Sequence, residues 1–225
     1  MTLPEAVFFD LDGTLVDNFE AVHKCCNLAQ AQLGLPLTDY ATLRAAVGGS
    51  IVLTMRLLVG EEFAPEAVAL YGGYFLKHWS FGLTAMPGAL WLLAELKKAG
   101  ISSAVLTNKD EARSKDIVNS LGMGGLLDAV VGTSDEDAAR GWRKPAPDFT
   151  RCALERFGHG AKVTIMVGDS PFDAEAADGV GMRAHLVATG SHTAPELEKL
   201  HAAGVHADLY ALGRAVFGFE PPQGC

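Results

Sequence analysis

Five short apolar runs, each closed by small or polar residues, constrain this chain more than any other feature. They are Ala6–Phe9, Ile101–Leu106, Leu126–Val131, Val163–Val167 and Ala184–Val187. Runs of this length without polar alternation fit strands buried on both faces. Between the later runs the chain reads as helix. Pro87–Ala99 opens with proline in its first turn and stops at Gly100, good chemistry at both ends. Glu111–Leu121 stops at Gly122 and Pro147–Phe157 at Gly158, while Pro171–Val180 and Pro195–Ala203 carry proline near their starts. Strand and helix in alternation imply a parallel sheet with right-handed crossovers.

One interval breaks the alternation. Residues 17–85 contain no good strand and read as helices: Phe19–Leu33 ending at Gly34, Tyr40–Val47 at Gly48-Gly49, Ile51–Val59 at Gly60, then Pro65–Phe81. The last carries an aromatic stripe, Tyr71, Tyr74, Phe75 and Trp79, expected to pack inside this unit. The predicted fold is therefore α/β, a Rossmann-like parallel sheet core with an inserted α-helical domain. Residues 1–16 and 86–225 form the core and residues 17–85 the insertion. The tail Phe219–Cys225 reads as loose.

Composition narrows the partners. Lys and Arg number 18 against 27 Asp and Glu, a formal net charge of -9. Such a surface repels nucleic acid and anionic lipid, so neither is expected as a partner, and an anionic substrate needs local cations or a metal. The four cysteines contain no Cys-x-x-Cys, which disfavours a thiolate zinc site and points to reduced thiols in the cytoplasm. Cys25-Cys26 reads as packed thiols. The first apolar run ends at Asp10, too short for a signal peptide, and no run approaches a membrane span. Cys225, as the last residue, does not make a prenylation box.

Polar clusters close three of the predicted strands, where open parallel sheets place their ligands. They are Asp10-Leu11-Asp12-Gly13-Thr14, Thr107-Asn108-Lys109 and Gly168-Asp169-Ser170-Pro171-Phe172-Asp173, and Lys144-Pro145 lies in the loop before Pro147. Asp10 and Asp169 suit a hard divalent cation such as Mg2+. The metal and Lys144 neutralise a phosphoryl group whose oxygens Thr107 and exposed amides hold. A carboxylate can itself be the nucleophile. Strand periodicity puts Asp10 and Asp12 on one side, so that one attacks while the other handles protons.

These residues resemble the four motifs of the haloacid dehalogenase-like hydrolase superfamily. Phe8-Phe9-Asp10-Leu11-Asp12-Gly13-Thr14-Leu15-Val16-Asp17 is similar to its first, Thr107 to its second, Lys144 to its third, and Gly168-Asp169 with Asp173 to its fourth. The resemblance implies that Asp10 is the nucleophile and that Asp12 protonates the leaving alkoxide and then activates water. It implies that Asp10, the Asp12 main-chain carbonyl and Asp169 ligate Mg2+, with Asp173 supporting the metal or Lys144 from behind. Thr107, Asn108 and Lys144 then bind the phosphoryl group, and the inserted helices form a mobile cap.

Within the superfamily, Asp12 argues against dehalogenation, because a halide leaves without a proton. The phosphonatase reading needs a cap lysine, and none occurs between Lys24 and Lys77. Val47-Gly48-Gly49-Ser50, Met86-Pro87-Gly88 and Thr107-Asn108-Lys109 are similar to phosphoglycolate phosphatases, which implies a small phosphorylated metabolite as substrate. The alternatives are a hexose-phosphate mutase and a catalytically silent binding protein. Other residues have plainer readings. Asp17 caps the first inserted helix, Lys109 starts a helix and faces solvent, and Arg44 and Arg56, either of which could meet a substrate carboxylate, read rather as a solvated helix face. His23 is a partly buried residue of the insertion.

Overall fold

The computed structural model describes residues 3–47 and 49–222. Gly48, expected to end a helix, and Cys225 lie outside the described residues. In chain order, β1 (Ala6–Phe9) and the two-residue β2 (Val16–Asp17) precede helices α1 (Phe19–Gln32), α2 (Tyr40–Ala46) and α3 (Ile51–His78), then β3 (Thr84–Ala85). The remainder runs α4 (Ala89–Lys98), β4 (Ser102–Asp110), α5 (Glu111–Ser120), β5 (Ala129–Thr133), α6 (Asp135–Ala139), α7 (Pro147–Phe157), β6 (Thr164–Gly168), α8 (Pro171–Asp178), β7 (Arg183–Val187), α9 (Ala194–Leu197), β8 (Gly204–His206) and α10 (Leu209–Leu212).

Six strands form one parallel sheet in the order β5-β4-β1-β6-β7-β8. β1 is fully buried at its centre. Its side chains alternate between faces, as the strand period requires. Val7 and Phe9 pack with Leu92, Leu93 and Leu96 of α4 and Ile117 of α5. Phe8 packs on the other face with Phe149 and Ala153 of α7 and Ala174 and Ala177 of α8. Each large side chain buried this way contributes about 1.5–3 kcal/mol. Because the strands are parallel, the loops after β1, β4, β6 and β7 all open at one edge.

The five apolar runs all become strands of this sheet. The sixth, β8, spans only three half-buried residues and has no apolar run to announce it. The helix expected just before it, Pro195–Ala203, stops at Leu197. Beyond that point the Ala203 amide donates to the Ala184 carbonyl at 2.7 Å, and the sheet edge claims the backbone. Nor is the tail loose up to Phe219, whose ring stacks on Phe217 at 5.4 Å.

The inserted helices build a third apolar cluster. Ala21, Cys25, Cys26 and Ala29 of α1 meet Leu43 of α2 and Met55, Ala67, Tyr71 and Phe75 of α3. The Tyr71 and Phe75 rings stack at 5.2 Å, so the aromatic stripe is packing surface. Burial pushes the Cys25 and Cys26 thiols up to about 11 and about 12. The two helices expected on either side of Gly60 run end to end, with Gly60 alone leaving helical geometry at φ 79° and ψ 167°. β2 and β3 pair antiparallel where the chain leaves the sheet and returns to it.

Candidate active site

The polar clusters converge at the loop edge of the sheet. Asp10 follows β1, and its amide still donates to the Val167 carbonyl of β6 at 2.8 Å. The chain then turns, with the Leu15 and Val16 amides both donating to the Leu11 carbonyl at 3.0 and 2.9 Å. The strand pleat therefore ends before Asp12, and the turn aims that side chain. Asp12 accepts from Asn18 Nδ2 at 2.7 Å on one oxygen and pairs with Lys109 Nζ at 2.8 Å on the other. Gly13, at φ +86°, permits the turn, and a Cβ there would press on the Asp169 carboxylate at 2.7 Å.

Lys144 is the central cation. Its side chain is 2% exposed, and Nζ lies 2.9 Å from Asp10 Oδ1 and 2.6 Å from Asp173 Oδ1. Burial alone would lower its pKa, but the Asp10 and Asp173 carboxylates hold it above the usual lysine range. Asn108 clamps the lysine's main chain, donating to its carbonyl at 3.0 Å and accepting from its amide at 2.7 Å. Both ends of the Asn108 amide are thus engaged by Lys144. Thr107 is buried behind, its Oγ1 accepting from the Lys109 amide at 3.2 Å.

Asp173 sits in the first turn of α8, where it closes a capping box. Its Oδ2 accepts from the Ser170 hydroxyl at 2.7 Å and from the Ser170 and Asp169 amides at 3.1 and 3.2 Å. With Oδ1 on Lys144, both of its oxygens are engaged. Asp169 accepts from Thr14 Oγ1 at 3.1 Å and from the Ser191 amide at 3.1 Å.

Asp10, Asp169 and Asp173 each offer an oxygen within 4.8 Å of the others. The Asp12 carboxylate is not in this group. Burial raises Asp10 to about 6, with Lys144 opposing the shift, and burial with the nearby Asp10 charge raises Asp169 well above the usual carboxylate range. Three carboxylates gather here, and one ammonium pairs with two of them, Asp10 and Asp173. That excess negative charge, on hard oxygen donors, fits a divalent cation of the Mg2+ kind. All three carboxylates could serve it; Asp173 already has one oxygen on Lys144 and three donors on the other.

Two sequence readings are overturned here. Lys109 lies within β4 and points at Asp12, its side chain only 13% exposed, because the strand runs on to Asp110 before α5 starts. Arg44 is half-buried rather than free on the surface. Its guanidinium donates to the carbonyls of Thr189 at 2.8 Å and Gly190 at 3.2 Å and lies over the Phe19 ring. Arg56 does sit on the surface, paired with Glu61. His23 bonds the Thr38 carbonyl within the insertion, and Asp17 accepts from the Phe19 amide at the start of α1. The loop Thr189-Gly190-Ser191 was missed altogether. Its signal was available, a Thr-Gly-Ser cluster just past the apolar run Ala184–Val187.

The chain resembles known proteins. The family model for haloacid dehalogenase-like hydrolases matches residues 7–187. A phosphoglycolate phosphatase of Rhodospirillum rubrum is 33% identical over 233 residues, covering 99% of this chain and 94% of that protein. One from Cereibacter sphaeroides is 34% identical over 196 residues, covering 84% and 87%. Among solved structures, a haloacid dehalogenase-like family hydrolase from Streptococcus pneumoniae superposes with a TM-score of 0.83 at 25% identity, covering 93% of this chain and 96% of that one.

Proposed function

The chain belongs to the haloacid dehalogenase-like hydrolase family and is a phosphoric monoester hydrolase; from that premise we propose that it is a Mg2+-dependent phosphatase working through phospho-Asp10. Its substrate is 2-phosphoglycolate or a similar small phosphometabolite, as the names of its relatives suggest. The observation that carries this reading is the Asp10–Lys144–Asp173 array, with Asp169 beside it and Asp12 held apart by its own partners.

Asp10 and Asp169, with the Asp12 main-chain carbonyl, hold Mg2+, which when bound draws negative charge off the transferring phosphoryl group. Asp10 attacks phosphorus while the bond to the ester oxygen breaks. Asp12 gives its proton to the departing alkoxide. It then takes a proton from the water that attacks phospho-Asp10, and phosphate and free carboxylate result. Lys144 keeps Asp10 aimed and balances the charge of the phosphoryl oxygens. Asp173 positions Lys144. Thr107 meets those oxygens with its hydroxyl, and Asn108, whose side-chain amide fixes the loop carrying Lys144, completes the phosphoryl-binding group.

Residues 17–85 act as a cap domain over residues 1–16 and 86–225. Arg44, Lys109 over the Phe75 ring, and the Arg143 bond to Ser50 Oγ at 2.6 Å join the two parts. Among the described residues no helix is long and apolar enough to cross a membrane, and Cys25, Cys26 and Cys152 are unpaired. A cytoplasmic reaction on a small molecule is part of the proposal.

The deciding experiment is a phosphate-release screen of the purified protein against a panel of phosphometabolites with Mg2+. Release is expected, highest with 2-phosphoglycolate, abolished by EDTA and restored by Mg2+. The nearly isosteric Asp10→Asn should lose it at least about 1,000-fold. Interconversion of hexose phosphates without net release would favour the mutase instead. Turnover by Asp10→Asn near the wild-type rate would remove the nucleophile.

A further inference from the structure

Several cations approach this site, and they differ in what they are already bound to. Lys144 has two carboxylates and almost no exposure. Arg44 is committed to main-chain carbonyls and an aromatic face. Lys109 is largely buried too, yet among the described residues its one carboxylate partner is Asp12, at 2.8 Å. Its other neighbour is the Phe75 ring, 4.8 Å from Nζ to the centroid. An ammonium carries three donors, and a ring face is a weak partner for a cation. Lys109 thus keeps donor capacity beside the carboxylate that serves the leaving oxygen.

Resting on the phosphatase reading, we propose that Lys109 selects leaving groups that carry a carboxylate next to the ester carbon. The substrate class is then the phosphate esters of short 2-hydroxy acids, in preference to esters of neutral alcohols. In such an ester the carboxylate carbon is two bonds from the ester oxygen, and its oxygens lie within about 3.5 Å of that atom. The ester oxygen itself sits about 2.7 Å from the Asp12 oxygen that protonates it. Lys109, on the other oxygen of Asp12, is within direct reach of a carboxylate so placed.

Charge supports the same assignment. The chain carries a net charge of -9, and two carboxylates, Asp10 and Asp173, already pair with Lys144. A substrate with a further carboxylate needs a cation that those groups have not neutralised. Arg143 is the competitor for this role. It lies one residue before Lys144 and its guanidinium donates to the Ser50 hydroxyl, a neutral partner. Lys109 is favoured because it touches Asp12.

The test compares 2-phosphoglycolate with ethyl phosphate, which keeps the two carbons and lacks the carboxylate. Kinetics are measured for the wild type, Lys109→Met, Lys109→Arg and Arg143→Gln, all with Mg2+. In Lys109→Met, kcat/KM on 2-phosphoglycolate should fall roughly 10- to 100-fold further than on ethyl phosphate, the loss of one charged hydrogen bond. Most of that extra loss should appear in KM, and Lys109→Arg should recover most of it. Glycolate should inhibit ethyl phosphate hydrolysis by the wild type and lose that potency in Lys109→Met. Equal losses on the two esters would overturn the proposal, since Lys109 would then serve Asp12 alone. A selective loss in Arg143→Gln with none in Lys109→Met would overturn it too. A wild type that hydrolyses both esters without preferring the carboxylate sinks this inference and spares the phosphatase reading. One that releases phosphate from neither ester, nor from the wider panel, sinks both.

Discussion

The loop edge of the sheet and the helices that cover it hold their charges in opposite ways. At the sheet edge, Lys144 and Asp173 are almost wholly buried and tied together as an ion pair, with main-chain amides and the Ser170 hydroxyl closing the carboxylate. Across the seam, the contacts run from cations to neutral groups: Arg44 to carbonyls, Arg143 to a hydroxyl, Lys109 to a ring. The first arrangement is costly to disturb, because a buried charge without its partner is heavily penalised. The second costs little to break and remake, since water replaces a carbonyl or a hydroxyl readily. The difference teaches that the charges at the sheet edge are locked together, while the cover is held by contacts that cost less to break.

The largest effect should come from Lys144→Met. It leaves Asp10 and Asp173 buried without their cation, so the metal-free protein should lose about 3–5 kcal/mol in urea denaturation. A loss below about 1 kcal/mol would erase the contrast between the two regions.

A smaller effect is expected from pH. Asp10 has a folded pKa of about 6 against 3.8 for the ordinary group, and Asp169 is raised as well. The folded metal-free protein therefore holds protons that the unfolded chain has released. That contribution is fully present below the ordinary carboxylate pKa and is lost as pH rises through about 6. Its size is on the order of a few kcal/mol. Mg2+ should offset the repulsion, so it should raise Tm more near pH 7 than near pH 4.5. Thermal melts with Mg2+ and with EDTA check this; an equal rise at both pH values would mean that the carboxylates are not the metal's ligands.

The smallest effects belong to the cover. Arg44→Ala should cost under about 1 kcal/mol of stability, because its partners rehydrate. Its KM for a phosphate ester should rise several-fold as the seam loosens. Arg56→Ala, which removes only the exposed pair with Glu61, should leave Tm and KM as they were. A KM effect as large in Arg56→Ala would break the distinction between seam and surface.

Parts of this molecule were legible before any coordinates. The runs beginning at Ala6 and Val163 have no polar alternation, and strands between two helical layers need none. Glycine and proline marked Pro147–Phe157 to the residue. β8 was hidden because three residues at a sheet edge require only a backbone partner, which composition does not reveal. Lys109 was misread for a related reason. Thr-Asn-Lys looks like the start of a helix, and only the length of β4 turns the lysine inward. Arg44 was misread because the carbonyls it binds belong to a loop 145 residues later in the chain.

The sequence by itself determined the layered α/β architecture and which acidic, hydroxyl and ammonium groups stand at strand ends. Those follow from local rules, the period of apolar residues and the stereochemistry of glycine and proline. Only the tertiary structure decided which carboxylate meets which cation: Asp173 rather than Asp12 beside Lys144, Asp12 beside Lys109, Arg44 on the Thr189 loop. Ion pairing depends on distances of a few ångströms between segments far apart in the chain, and no local pattern encodes them.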